Sequence, residues 1–235
     1  MEHLNQYFIR EQVAPEIMDK LWASGWRHFG TYFFRYTLAM HDGEIRLVLP
    51  LRVDLAEFSY SRSQKRILQK NKDLNVIIRA TSIDQIKEEM FSRHRERFQT
   101  NIPDSIFDFL STDPDSVPCQ NREICVYQGD RLLAASFLDI GKNSTSAVYA
   151  IFEPSESKRS LGILTILEAI RYSRSLGCRY YYPGYAYTGS SVYDYKKKIG
   201  ALERYDWSGS WDPYSASTEP EFSKEDLTFD RIPGG

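Results

Sequence analysis

Along the chain the apolar positions switch between the 3.6-residue spacing of helices and the two-residue alternation of strands. Residues 15–24 predict a short helix, with Pro15 in its first turn and Gly25 past its end. Residues 31–40 (TYFFRYTLAM) read as an aromatic-rich strand. Asp42-Gly43 has hairpin chemistry, and a second strand over 45–58 is expected to be interrupted by Pro50. Ser61 and Gln64 stand at capping-box spacing and open a helix to about Asn71, after which 74–79 returns to strand character. Ser82 and Gln85 repeat that signal ahead of a helix carrying Ile83, Ile86, Met90, His94 and Phe98 in phase. Residues 101–118 are turn-rich and hold one short helix near 106–110.

The second half predicts strands at 123–127 and 132–140, joined by Gln128-Gly129-Asp130, and a third at 147–152. A polar turn at 158–162 leads into an amphipathic helix over 160–176. Leu161, Leu164, Leu167 (or Glu168) and Ile170 form its core-facing stripe, and Gly177 stops it. In 180–187 (YYYPGYAY) strict alternation sets Tyr181, Pro183 and Tyr185 opposite Tyr180, Tyr182 and Gly184. Pro183 denies the sheet a donor, so the sheet is expected to splay or end there. A basic segment and a short strand follow. This order predicts an α/β (α+β) fold of the acetyltransferase (GNAT) type, a mixed sheet flanked by helices, and leaves open two related halves. The expected divisions are an N-terminal half over 1–118, a transferase half over 119–211 and a polar, loosely ordered tail over 212–235.

Charge changes this picture locally rather than globally. The formal net charge is −2, which argues against a bulk polyanion binder and requires any nucleic-acid contact to come from a patch. One such patch is the helix at 62–72, where Arg62, Lys65, Arg66, Lys70 and Lys72 occur without an acid. Arg62, Arg66 and Lys70 share a face, so they repel by roughly 0.2–0.5 kcal/mol per pair unless an anion neutralises them. A solvated face is the plainer alternative to phosphate or acidic-substrate contact. A second run, Lys196-Lys197-Lys198, stands beside Tyr193 and Tyr195 and would suit a stacked nucleotide end.

Three cysteines at positions 119, 125 and 178 fit neither a zinc site nor a disulfide framework, which suggests a reducing compartment. The four histidines have no ligand spacing, so no metal or cofactor is expected. With no signal-like start and no membrane-length apolar run, the expectation is a cytoplasmic protein without membrane contact.

Chemistry concentrates around the long C-terminal helix. Its N-terminus is a ready anion site, and Arg159-Ser160-Leu161-Gly162-Ile163-Leu164 half-matches the Arg-x-x-Gly-x-Gly/Ala pyrophosphate loop of acetyltransferases. Leu164 replaces the small residue and is expected to crowd a coenzyme A pyrophosphate. Asp139 and Glu153 each end a strand near the expected splay and are candidates for holding an ammonium group or accepting its proton.

Several of these segments together resemble the C-terminal region of arginyl-tRNA–protein transferases and their bacterial leucyl-transferring relatives. They are Asp139, Ser146-Ala147-Val148-Tyr149 with Phe152-Glu153-Pro154, Ser160-Leu161-Gly162, Tyr181-Tyr182-Pro183-Gly184-Tyr185 and Tyr195-Lys196. Upstream, Pro50-Leu51-Arg52-Val53 and Ser61-Arg62-Ser63-Gln64-Lys65-Arg66 extend the likeness to about three quarters of the chain. The family's N-terminal cysteines, which hold an iron–sulfur or metal centre, have no counterpart here; His41-Asp42-Gly43-Glu44 stands in their place.

The resemblance implies transfer of Arg or Leu from an aminoacyl-tRNA to an amine, either the N-terminal Asp or Glu of a protein or peptide or a small amino compound. It implies roles for Glu153 or Asp139 as base or ammonium holder, and for Arg62, Lys65 and Arg66 toward tRNA phosphates or an acidic acceptor, with Ser63 and Gln64 among the substrate-binding residues. Lys196 and the turn Ser160, Leu161, Gly162 would hold the tRNA end, Tyr182 and Tyr185 would line the aminoacyl pocket, and Tyr149, Gly184 and Tyr195 would also bind substrate. The rivals are an acyl-CoA-dependent acetyltransferase and a non-catalytic tRNA- or peptide-binding module.

Overall fold

The computed structural model describes residues 3–41, 43–99 and 102–220. In chain order its elements are β1 (Asn5–Ile9), α1 (Pro15–Ala23), β2 (Arg27–Phe29), β3 (Tyr32–Tyr36), β4 (Leu38–His41), β5 (Glu44–Asp54), α2 (Arg62–Lys70), β6 (Asn75–Ala80) and α3 (Gln85–Arg95). They continue with β7 (Asn121–Gln128), β8 (Arg131–Ile140), β9 (Ser144–Phe152), α4 (Leu161–Ser175), β10 (Tyr180–Tyr187), β11 (Leu202–Tyr205) and β12 (Trp211–Pro213). A mixed nine-stranded sheet runs β12-β11-β5-β10-β9-β8-β7-β6, with β4 paired to β5. A separate three-stranded sheet, β1-β3-β2, is antiparallel throughout. No helix among the described residues is long and apolar enough to cross a membrane.

Local chemistry accounts for most boundaries. The capping box forms as expected: Ser61 Oγ accepts from Gln64 N–H, and Gln64 Oε1 accepts from Ser61 N–H. At α3 the cap is Asp84 rather than Ser82, its carboxylate accepting from Lys87 N–H at 3.0 Å. The helix stops at Arg95, before Phe98. The strand expected to break at Pro50 runs through it. Pro50 falls between the stretches of β5 that pair with β4 (44–47) and with β11 (51–53), so its missing N–H deprives neither partner.

The expected boundary near 118 does not separate two sheets, because β5 and β6 from the first half both enter the large one. The tail is ordered further than expected: 211–213 form β12 against β11, and Tyr214 N–H donates to Leu202 O. Residues 221–235 lie outside the described residues.

The core lies between the sheet and α4. Leu167 and Ile170 pack with Leu49, Leu51, Val53 and Tyr181, while Leu161 and Leu164 pack with Val126, Leu133 and Ala134. The stripe expected on α4 is thus buried, at a gain of roughly 1.5–3 kcal/mol per aliphatic side chain. On the opposite side α1 and the small sheet bring Trp22 and Phe33 against Tyr182 and Tyr180.

Candidate active site

The central parallel pair of the large sheet opens. β9 and β10 are in register over three residues, Ser144–Tyr180 to Ser146–Tyr182, and then part, although both strands continue. Pro183 follows immediately on the last paired residue, where the splay was expected, since it has no N–H to donate. On β9 the burial changes at the same place. Residues 144–146 are buried and 147–150 half-buried.

Beside the splay β10 carries a bulge, its pairing to β5 shifting between Tyr181 and Gly184, and Gly184 sits at φ +95°. The expected alternation therefore fails. Tyr182 packs against Trp22, and Tyr185, three residues on, turns to the same N-terminal segment and donates its hydroxyl to Gly25 O at 2.6 Å. Both rings are buried and fix the small sheet over β10.

Two cations meet in the opening. Arg27, from β2, donates through Nη1 to Ser146 Oγ and through Nη2 to Ala147 O, the first carbonyl past the last β9–β10 pair. Lys196, in the short 3-10 turn Lys196–Lys198, donates from Nζ to Tyr185 O at 3.0 Å. A Cβ placed on Gly184 would lie 3.1 Å from Lys196 Nζ and 3.6 Å from Arg27 Nη2, so the two groups converge on one point. Neither has a carboxylate within ion-pair distance among the described residues. Burial, with Arg27 beside it, pulls the half-buried Lys196 ammonium down to about 7. Lys196 also lies 4.9 Å from the ring of Tyr193 and 6.0 Å from that of Tyr195. Tyr149 stands on β9, one of the two strands that part. It stacks on Phe109 at 3.8 Å, and its buried hydroxyl has no hydrogen-bond partner among the described residues. Arg27 was not legible as a site residue, because nothing local in Arg27-His28-Phe29 distinguishes it.

The two candidate carboxylates do not face this opening free. Asp139 is 2% exposed; its Oδ2 takes His28 Nε2 at 2.7 Å and its Oδ1 takes Asn121 Nδ2 at 2.8 Å. His28 Nδ1 donates to Gly30 O at 2.9 Å. Glu153, buried at the end of β9, is held by Arg93 through both oxygens, at 2.5 and 3.2 Å. His28, Cys119 and Asp139 bring ring nitrogen, thiol and carboxylate within 4.8 Å of one another, the described grouping that could ligate a metal. Burial, with Asp139 beside it, pushes the Cys119 thiol well up, toward a proton donor rather than a thiolate ligand.

The other expected residues divide by position. Arg62, Ser63, Lys65 and Arg66 are exposed on α2, and the three cations have no ion-pair partner among the described residues. Gln64 is buried and donates from Nε2 to Ile199 O at 2.8 Å, tying the start of α2 to the end of the Lys196–Lys198 turn. Ser160 holds φ +56° ahead of α4 and offers no side-chain cap. Gly162 lies beneath Phe152, 3.3 Å from where its Cβ would be. Leu161, at 1% exposure, and Leu164, at 3%, belong to the core. The Leu161 side chain therefore packs, leaving only its backbone amide at the α4 N-terminus for a ligand, and Leu164 turns toward the sheet instead of crowding the phosphate loop. Arg159 is held by Asp73 through both terminal guanidinium nitrogens, at 3.1 and 3.0 Å.

A splayed parallel pair in a mixed sheet, with a long helix packed on it, defines an acetyltransferase-like fold. A crystal structure of FemX shares this fold, with a TM-score of 0.51 at 11% identity over 79% of this chain and 65% of that one. The family described as arginine-tRNA-protein transferase, C terminus, matches residues 80–206, and the chain belongs to it. It is thereby an aminoacyltransferase. Aspartate/glutamate leucyltransferase of Leptospira interrogans serogroup Icterohaemorrhagiae serovar copenhageni is 28% identical over 198 residues, 82% of this chain and 76% of that protein. The Helicobacter hepaticus protein of the same description is 28% identical over 207 residues, 84% of this chain and 83% of its own length.

Proposed function

We propose that this protein transfers leucine from leucyl-tRNA to the N-terminal amine of a protein or peptide beginning with Asp or Glu. The observation that carries this reading is the continuity between the unpaired basic face of α2 and the splay, joined by the Gln64–Ile199 hydrogen bond. A polyanion lying along Arg62, Lys65 and Arg66 would deliver its end toward the opening between β9 and β10. Leucine is favoured over arginine because the splay presents two cations and aromatic rings with no free carboxylate, an environment that repels a guanidinium. The names of the leucyltransferase relatives agree with this choice.

The chemistry is aminolysis of an activated ester. The acceptor nitrogen bonds to the aminoacyl carbonyl carbon as the bond to the ribose oxygen breaks, and the proton the nitrogen gives up passes through solvent to that oxygen, which leaves as a hydroxyl. An α-amino group with a pKa of roughly 8 is in part neutral at pH 7, so holding the reactants together is the main task. With Asp139 and Glu153 closed in ion pairs, neither is given the proton. Asp139 is assigned to positioning, through His28, of the strand that carries Arg27.

The test offers purified protein leucyl-tRNA, arginyl-tRNA and acetyl-CoA, each with peptides starting in Asp, Glu or Ala. Leucine should pass to the Asp and Glu peptides. Transfer from acetyl-CoA alone would overturn the reading, and tRNA binding without transfer would leave a binding module.

A further inference from the structure

We propose that Arg27 and Lys196 form a clamp for the side-chain carboxylate of the acceptor's first residue, and so set the preference for acidic acceptors. This rests on the function proposed above, for the place of the reaction only. The geometry argues for an anion first. Two like charges converge on Gly184 inside a half-buried opening; neither has an ion-pair partner among the described residues, and Asp139, the one acid that acts on Arg27, is committed to His28 and Asn121. Partly desolvated cations are normally paired, because an unpaired one costs several kcal/mol.

The donors are also only partly used. Arg27 commits one hydrogen of each terminal nitrogen, to Ser146 Oγ and Ala147 O, leaving three of its five N–H groups. Lys196 commits one of three, to Tyr185 O. Those two backbone acceptors also hold both side chains in place, one on β9 and one on β10, so a ligand entering the splay meets donors already aimed.

The anion's identity follows from position. The exposed face of α2 can serve the phosphates of a bound nucleic acid, whereas Arg27 stands on β2 of the small sheet and is bonded to β9 inside the splay. If the acceptor amine attacks an ester in the splay, the side chain of that same residue must lie within a few bonds of the reacting carbon. A carboxylate there would find the planar fork of Arg27 and the point charge of Lys196. An amide of equal size would bond to these donors without neutralising them, which discriminates Glu from Gln by charge.

The decisive experiment compares wild type, Arg27→Gln, Lys196→Met and Lys196→Arg at saturating leucyl-tRNA, with dipeptides Glu-Ala and Gln-Ala as acceptors. Arg27→Gln and Lys196→Met should each raise KM for Glu-Ala by about tenfold or more and erase the preference over Gln-Ala. KM for leucyl-tRNA should stay unchanged, and Lys196→Arg should retain the preference. Equilibrium binding of Glu-Ala to the protein without tRNA gives a readout independent of transfer. That binding should weaken as pH rises through about 7 in wild type, but not in Lys196→Arg, whose guanidinium keeps its charge. The groups facing Lys196 are Arg27, Tyr193 and Tyr195, and those facing Arg27 are Tyr181, Tyr182, Tyr185 and Asp139.

Equal losses for both dipeptides with a raised KM for leucyl-tRNA would assign the cations to the tRNA and overturn the clamp. Wild-type leucyl transfer with no preference for Glu-Ala would overturn it too, leaving aminoacyl transfer itself intact. Absence of any aminoacyl transfer would count against the function, and charge-selective dipeptide binding would then still decide the clamp. If Arg27→Gln does not fold, Lys196→Met carries both readouts.

Discussion

Arg27 and His28 are neighbours on one short strand, point to opposite sides and meet opposite fates. His28 enters a closed network. Its two nitrogens are taken by Gly30 O and Asp139, whose other oxygen holds Asn121, which in turn accepts from Thr81 at 2.5 Å. Arg27 enters an open one, bonded to a hydroxyl and a carbonyl and facing another cation. A buried network closed on itself fixes structure, because every lone pair is answered. One left open holds donors in reserve for something that is not part of the chain. The difference lies in completeness of pairing, since both groups are ionisable and both are withdrawn from solvent.

The closed side should be the more costly of the two to disturb. Asp139→Ala strands His28 and Asn121 in the core and should cost about 3–5 kcal/mol, read as a lowered urea midpoint. Asp139→Asn should cost less; if it folds normally and keeps KM but loses turnover, the carboxylate acts in the chemistry and the division fails. On the open side, the expectation is reversed in sign. Lys196 is protonated below about 7 in the folded chain and up to about 10 in the unfolded one. Between those values the unfolded chain binds more protons, so stability rises with pH across that window. Lys196→Met should remove that slope and leave stability at pH 6 unchanged or higher; a marked loss there would mean the ammonium is answered after all.

The smallest effect on the fold should come from α2. Lys65→Ala with Arg66→Ala should change stability by less than about 0.5 kcal/mol. Each should lower the slope of log affinity for tRNA against log salt by about one. Unchanged tRNA binding would make that helix a solvated face and leave the splay to stand alone.

How much of this was legible depends on how local the cause was. The capping box at Ser61, the core stripe of α4 and the parting of the sheet at Pro183 could all be read from neighbouring residues, because backbone donors and side-chain spacing decide them. Other readings failed where a distant partner intervened. The bulge at Gly184 turned Tyr185 to the face of Tyr182, and Asp139 and Glu153 looked available until His28 and Arg93 were brought to them. Pro50 was expected to break a strand whose partners, it turns out, change over at that residue. Leu164 could be placed on the core stripe from its spacing, and that placement, not its bulk, decides what it does near the α4 N-terminus.

The sequence by itself determined the order of elements, the place where the central strands part, the basic face of α2 and the family likeness carried by residues near the splay. These follow from periodicity, a missing N–H and local charge. Only the tertiary structure decided which charges are answered. Arg27 and Lys196 are far apart in the chain and meet because a small N-terminal sheet is packed across β10. Pairing between side chains depends on distances of a few ångströms, and the fold sets those.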